Sequence, residues 1–408
     1  MSPLTTSPVR DRSRKLGNIY SPVQETFMQV RRVTVRSRKC EVILPDEDVT
    51  QAAHSPTIVD VATRAGVSRA TASRALGHYG RIAPATIKRV EQAAEALGYR
   101  PNELARAMRI GITKTIGLVI ITDFTNAFFD RVTKAIVDEA KLHGYQVLIT
   151  NTDEDSEIER QAVETLLEKQ VDGLIVVPSL SKNYDHLGAA KLGGRPIMLI
   201  DRRLDNLPFT AIITDDFAGA QNAVRHAISL GHKRLGFLIS AASVENVTAQ
   251  RPAELVSTVF DRTEGFLRGA FDAGIKRSDQ HWIFCEDEPK SSEAAVASLL
   301  DRPNPPTIIF TSNNDMALAV LKVAGNRRLT IGRDISLVTV DDSQWAAAIV
   351  PGITVIARPV EEIGRLAVQR LLSEIADPGQ PTEIVVLPTT LIARDSVANL
   401  YLEGFRSS

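Results

Sequence analysis

At 408 residues and 44 % apolar content, the chain is too long for one small domain and can bury a large core; it has no apolar run near the roughly 18–20 residues of a membrane helix. Its two cysteines, Cys40 and Cys285, are far apart without metal-ligand spacing and read as free thiols of a reducing compartment; the arginines near the N-terminus precede no apolar signal segment, so a cytoplasmic location is expected. The net charge of -1 hides an asymmetry: residues 56–110 hold nine Lys/Arg against four Asp/Glu, residues 1–55 nine against six, and residues 111–408 thirty against thirty-nine, which fits a small basic domain facing phosphates on an acidic body.

Residues 1–55 lack sustained periodicity. Basic clusters, Arg10 to Lys15 and Arg31 to Lys39, precede a short apolar stretch from Cys40 to Leu44 and the acidic Pro45-Asp46-Glu47-Asp48. This composition predicts a disordered basic extension. It is read either as an arm that adds non-specific attraction to DNA or as a dispensable leader, with Met28 a second candidate start.

Residues 56–101 form the next unit. Ile58, Val61, Ala62 and Ala65 recur at helical spacing, Gly66 falls where the chain must turn, and Ser68 is a good N-cap for a second helix. That helix places Ala72, Ala75 and Leu76 inward and Arg69, Ala70, Ser73 and Arg74 outward. The pattern is a helix-turn-helix whose second helix suits a DNA major groove. Pro84 opens a third helix, Ile87, Val90, Ala94 and Leu97 space its buried face, and Gly98 ends it. Residues 102–114 read as a hinge and linker: Glu103 to Arg109 allow one or two helical turns, too few to be stable alone.

From Thr115 short apolar runs alternate with amphipathic helices. Strands are expected at 116–121, 145–150, 173–178, 196–201, 234–239, 307–311, 336–341 and 383–389. Helices are expected at 129–143, 157–169, 216–230, 262–273, 316–324 and 360–375. Repeated strand–helix units give doubly wound parallel sheets. The length, residues 115–395, fits two similar lobes around a cleft better than one sheet, with residues 396–408 a tail.

Thr57 to Arg74, then Leu97-Gly-Tyr-Arg-Pro-Asn102 and Ala105-Arg106, resemble the lactose-repressor/galactose-repressor family of bacterial transcription regulators. Downstream, Thr115-Ile-Gly-Leu-Val, Asn126-Ala-Phe-Phe129, Val171-Asp-Gly-Leu-Ile175, Leu230-Gly-His-Lys-Arg234, Asn313-Asn-Asp-Met-Ala317, Asp334-Ile-Ser-Leu-Val338 and Asp341-Asp342 follow in family order, so the resemblance covers about 56–395. It implies a helix-turn-helix headpiece, a hinge helix and a dimerising core like the periplasmic binding proteins. The sequence departs from the pattern at Met108 (usually leucine), Gly77 (usually asparagine) and Ala83 (usually serine or threonine). It departs also at Phe260, where the family carries an effector arginine, at Asp287 and Glu288 in place of an aromatic, and in a longer loop from Ala241 to Asp261.

Two sites follow. For DNA, Arg69 and Arg74 are the base-reading candidates, since arginine binds guanine O6 and N7 bidentately. Ala70 offers a methyl contact, and Ser68, Thr71 and Ser73 offer hydrogen bonds to phosphates or bases. The resemblance adds Thr57, Tyr99, Asn102, Ala105 and Arg106 as DNA contacts and makes Met108 a minor-groove wedge. For the effector, strand ends supply Asp123, Asp201 and Asp341, Phe128 and Phe129 offer ring faces, and Arg262 and Asn313 match family positions near the ligand.

The expected function is a repressor that binds pseudopalindromic double-stranded operator DNA as a homodimer, under control of a small-molecule effector, a sugar or sugar derivative. It needs no cofactor, metal or membrane. A periplasmic-type binding protein would lack the headpiece. An enzyme on a doubly wound fold would need chemistry that is missing here: the sequence contains no Gly-x-Gly-x-x-Gly, Gly-x-Ser-x-Gly or clustered metal ligands.

Overall fold

The computed structural model describes residues 56–100, 111–121, 126–188, 193–205, 207–241, 255–286 and 288–402. The expectations for residues 1–55, for the hinge helix with Asn102, Ala105, Arg106 and Met108, and for Asp123 lie outside the described residues.

The headpiece is three helices, α1 (Ile58–Ala65), α2 (Arg69–Leu76) and α3 (Pro84–Leu97). Thr57 and Asp60 cap α1 reciprocally, and Gly66 ends it at φ 63°, a conformation only glycine adopts without strain. Val61, Ala62, Ala65, Ala72, Ala75, Val90, Ala93 and Ala94 make the buried centre. Mostly alanine, this core lets three short helices approach closely, and each helix depends on the others because none is long enough to persist alone.

The core holds two six-stranded sheets. The first lobe takes β1 (Thr115–Ile120), β2 (Gln146–Asn151), β3 (Gly173–Val176), β4 (Ile197–Ile200) and β5 (Thr210–Thr214), with helices α4 (Ala127–Leu142) and α5 (Ser156–Glu168). The chain then enters the second lobe through α6 (Asp216–Ser229). There it lays down β6 (Leu235–Ser240), α7 (Ser257–Asp272), β7 (Gln280–Cys285), α8 (Pro289–Leu300), β8 (Ile308–Thr311), α9 (Asn314–Asn326), β9 (Ser336–Val340), α10 (Gln344–Ala348) and β10 (Thr354–Ala357). It returns to the first lobe for α11 (Val360–Ala376) and β11 (Ile384–Leu387), and closes with β12 (Thr390–Ile392) in the second.

The strand orders are β11-β5-β4-β3-β1-β2 and β12-β10-β9-β8-β6-β7. The pairs are parallel except that β12 runs antiparallel to β10, with Ile356 opposite Leu391. Strand β12 departs from the expected all-parallel pattern: no helix separates it from β11, and it joins the second sheet at its edge, beside β10. Strands β3, β4 and β9 are buried along their whole length, as runs covered on both faces must be.

The sequence reading did not anticipate β5, β7, α8, α10, β10 or β12. The chain crosses between the lobes three times, after β5, β10 and β11. Two helix pairs flank these crossings, and both meet on glycine. A Cβ at Gly265 of α7 would overlap the Phe217 carbonyl of α6, and one at Gly364 of α11 would lie 2.6 Å from the Ala135 methyl of α4.

Candidate functional site

Helix α2 is set up by its cap. Ser68 Oγ accepts from the Thr71 amide at 3.1 Å and pairs with Thr71 Oγ1 at 2.9 Å. Ala72 and Ala75 are fully buried against α1 and α3, which fixes the helix's rotation. Arg69, Ala70 and Arg74 are consequently exposed on one face, and Arg74 Nε rests on the Ala70 carbonyl at 3.2 Å. Ser73 is half-buried and hydrogen-bonds the Tyr79 hydroxyl at 3.1 Å. A Cβ at Gly77 would overlap the Tyr79 ring, so the departure from asparagine there makes room for the ring that reaches Ser73. Thr57 is occupied as a helix cap, with its hydroxyl donating to Asp60 at 2.7 Å. Tyr99 packs against the headpiece core. Ala83, at the start of α3, makes no side-chain cap bond.

The second candidate lies between the lobes. A cleft of about 820 Å³ opens at the C-terminal ends of β1, β4, β6, β8 and β9, where parallel α/β sheets collect ligands. Of the expected effector residues, Phe129, Asp201, Arg262, Asn313 and Asp341 line it. Phe128 does not. It is 2 % exposed, and its ring lies under the Arg358 guanidinium, 3.4 Å from carbon to centroid. The Asn126 side chain caps α4 and turns the two phenylalanines to different sides, their rings meeting edge to face at 5.0 Å. Phe129 is 7 % exposed, so it offers the cleft an edge of ring and not an open platform.

Arg358 was not anticipated, and it organises the cleft floor. It sits on the crossing between β10 and α11. Its Nε and Nη2 donate to the two Asp341 oxygens at 2.6 and 2.7 Å, and its Nη1 donates to Asp201 at 2.5 Å. Asp201 follows β4 of the first lobe and Asp341 follows β9 of the second, so one guanidinium ties the lobes together. Burial alone draws the Arg358 guanidinium down; the Asp341 and Asp201 carboxylates outweigh it and hold the group above its ordinary value. Both aspartates have left-handed backbones, φ 66° and 74°, a conformation asparagine and aspartate tolerate best among non-glycine residues. Asp201 and Asp341 thus line the cleft while holding Arg358, so only their remaining lone pairs are open to a ligand.

Arg262 is similarly committed. Its Nε donates to Asp216 at 2.6 Å and its Nη1 to the Ser312 carbonyl at 2.7 Å, while Asp216 also accepts from Thr214. Asn313 caps α9 by accepting from the Met316 amide at 3.0 Å. A third cleft arginine not singled out in the sequence, Arg202, grips Glu154 and the Pro178 carbonyl. Its buried Nε has no hydrogen-bond partner and lies 3.7 Å from Asp201. Phe260 lines an adjoining pocket and not the cleft itself. Asp342 is drawn away to Arg394 at 2.7 Å. Among the described residues no group of His, Cys, Asp and Glu is placed to hold a metal, and no helix is long and apolar enough to cross a membrane.

Comparison with known proteins places both regions. Residues 57–102 match the model described as bacterial regulatory proteins, lacI family, and residues 224–397 match the periplasmic binding protein-like domain. The chain is 31 % identical over 345 residues to the HTH-type transcriptional repressor PurR of Aliivibrio salmonicida, covering 84 % of this chain and 99 % of the relative. Among solved structures it superposes on the lac repressor dimer bound to operator and the anti-inducer ONPF (TM-score 0.72, 24 % identity, 84 % of this chain and 99 % of that one), a likeness of fold. It also superposes on the transcriptional regulator CelR in complex with cellobiose (TM-score 0.60, 26 % identity, 84 % and 99 %). The co-linear match over headpiece and core makes the chain a member of the lacI family of bacterial regulatory proteins.

Proposed function

We propose that the chain is a sequence-specific DNA-binding transcriptional regulator, a repressor, whose operator affinity is set by a small molecule held between its core lobes. The observation that carries this is α2: an eight-residue helix, capped by Ser68 and locked by buried alanines, that presents Arg69, Ala70 and Arg74 together on its exposed side. Base contacts would come from the two arginines and the Ala70 methyl, while Thr57, Ser68, Thr71, Ser73 and Tyr99 would serve the backbone register. Residues 102–114, with Asn102, Ala105, Arg106 and the Met108 wedge, would form the hinge of a chain divided into extension (1–55), headpiece (56–101), core (115–395) and tail (396–408). The relatives named for an operator-bound dimer and a cellobiose complex support a homodimer, a pseudopalindromic operator and a sugar-class effector. We read the protein as cytoplasmic and without catalytic activity.

Selection of bound sequences from a random duplex pool, followed by fluorescence anisotropy at about 50 and 200 mM salt, tests the reading. The expected result is a two-fold-symmetric site bound by a dimer, with affinity falling steeply as salt rises. Enrichment of no sequence, or a monomer by light scattering with and without DNA, would overturn it.

A further inference from the structure

The interlobe cleft is acidic. Among its described lining residues seven carboxylates stand against three guanidiniums, with no lysine. All three guanidiniums are engaged: Arg202 by Glu154, Arg262 by Asp216, and Arg358 by Asp201 and Asp341. An anionic ligand would meet a net negative charge among the described lining residues. To gain the Arg262 or Arg358 cation it would have to break a buried ion pair and leave a buried carboxylate uncompensated, and Arg202, though its partner Glu154 is exposed, is itself less than a tenth exposed. On the second-lobe wall, Glu286 follows β7 and Glu288 precedes α8. Both are exposed, and Glu288 makes no cap bond to the helix it precedes. Across the cleft, Asp153 and Glu154 stand side by side on a left-handed turn with φ 49° and 63°. Low-dielectric walls focus such a field on the space between them. Alongside the charges, Ser240, Thr258 and Asn313 line the cleft with groups that exchange hydrogen bonds with hydroxyls.

We propose that the effector is a polyhydroxylated small molecule bearing a protonated amine, of the amino-sugar class, with its ammonium facing Glu286 and Glu288. This rests on reading the cleft as the effector site. A sugar phosphate or sugar acid is disfavoured by the same field. The charge on the cleft wall, more than its shape, sets which class of polyol is retained.

Calorimetric titration of the full chain with matched sets tests this: D-glucosamine, D-glucose and D-glucose 6-phosphate, and the galactose and mannose counterparts. At least one amine binds about tenfold more tightly than its neutral counterpart, a difference of about 1.4 kcal/mol, and its phosphate binds weakest. Raising the salt narrows the gap. The doubly substituted Glu286→Gln, Glu288→Gln chain brings the amine-to-neutral ratio close to one, while Glu288→Asp alone keeps a preference for the amine. The proposal is overturned if no amine in the three sets outbinds its neutral counterpart, or if a phosphate binds best. A neutral or anionic sugar that alters DNA affinity and binds more tightly than every amine would refute the amine and leave the regulator standing; absence of specific DNA binding would refute the regulator whatever the cleft binds.

Discussion

The residue that matters most to the core is Arg358, because it is buried, charged and shared. Its partners come from different lobes and are 6 % and 8 % exposed. Removing one partner of a buried ion pair leaves the other charge uncompensated and costs about 3–5 kcal/mol. Arg358→Met strands two carboxylates at once, so it should lower unfolding stability by at least that range in urea titration; a loss below about 1 kcal/mol would show that water already neutralises the pair. His232 gives a second residue-scale test. It is fully buried, its Nε2 donates to the Ala398 carbonyl at 3.1 Å, and its Nδ1 accepts from the Thr307 hydroxyl at 2.8 Å. Burial pushes its pKa from 6.5 down to about 4. The folded state thus binds the proton more weakly than the unfolded chain. The contribution is whole above pH 6.5 and is lost as pH falls toward about 4, roughly 3 kcal/mol in all. His232→Gln should flatten the pH dependence of stability between those limits, as measured by denaturation at several pH values. Arg358 did not announce itself in the sequence, and His232 stood there only as one residue of the Leu230-Gly-His-Lys-Arg234 match. Arg358 stands 157 residues from Asp201, in an Arg-Pro step between a strand and a helix, where an arginine usually reads as surface.

Elements were legible where their period was unbroken. Helix α2 was readable because Ala72, Ala75 and the Ser68 cap repeat a local rule, and β1, β3, β4 and β9 because continuous apolar runs fit strands covered on both faces. Strand β7 was not: its Gln280-His281-Trp282 start is half-covered at a sheet edge, so no single burial pattern shapes it. Strand β12, at three residues, is too short for periodicity to carry information, and β10, as short as β3 and β4, mixes Thr354 and Ala357 with Val355 and Ile356, so no unbroken run of large apolar residues marks it. Close helix contacts were likewise hidden. Gly265 falls inside α7, where glycine alone would only weaken a helix. Its reason is the neighbouring α6 backbone, which a Cβ would overlap. Gly265→Ala should therefore destabilise the second lobe by about 1–3 kcal/mol despite the better helix propensity of alanine, read as a lower urea midpoint with an unchanged slope. Gly325, whose added Cβ would meet nothing within 4 Å, is the matched control: Gly325→Ala should be neutral or stabilising.

At the scale of the whole molecule, three chain crossings join the lobes, and among the described residues Arg358, Arg203 (to Asp261) and Arg131 (to the Asp342 carbonyl) bridge them. The first lobe begins at Thr115, where the hinge segment ends. The strand is anchored firmly at that point. Asp172 accepts from the amides of Thr113 and Lys114, each at 2.8 Å, and from the Thr113 hydroxyl at 3.0 Å. A ligand that changes the angle between the lobes must work against the Asp201–Arg358–Asp341 clamp, and any movement of the first lobe carries Thr113 with it. If residues 102–109 form a helix only when paired on DNA, effector binding and hinge ordering are two views of one equilibrium, and each must change the other by the same factor. Two substitutions separate the ends of this linkage. On the proposal that Met108 is a minor-groove wedge on a hinge helix, Met108→Gly would remove the wedge and weaken the helix, so specific operator affinity should fall at least tenfold while effector affinity of the DNA-free protein stays the same. Arg358→Lys keeps a positive charge but forfeits the forked geometry that holds both aspartates. It should shrink the factor by which effector shifts operator affinity, with operator affinity in the absence of effector changed much less. Anisotropy titrations of operator, with and without saturating effector, give the two operator affinities of each variant, and calorimetric titration of the DNA-free protein gives its effector affinity. An unchanged operator affinity in Met108→Gly, or an undiminished effector response in Arg358→Lys, would place the coupling elsewhere in the molecule.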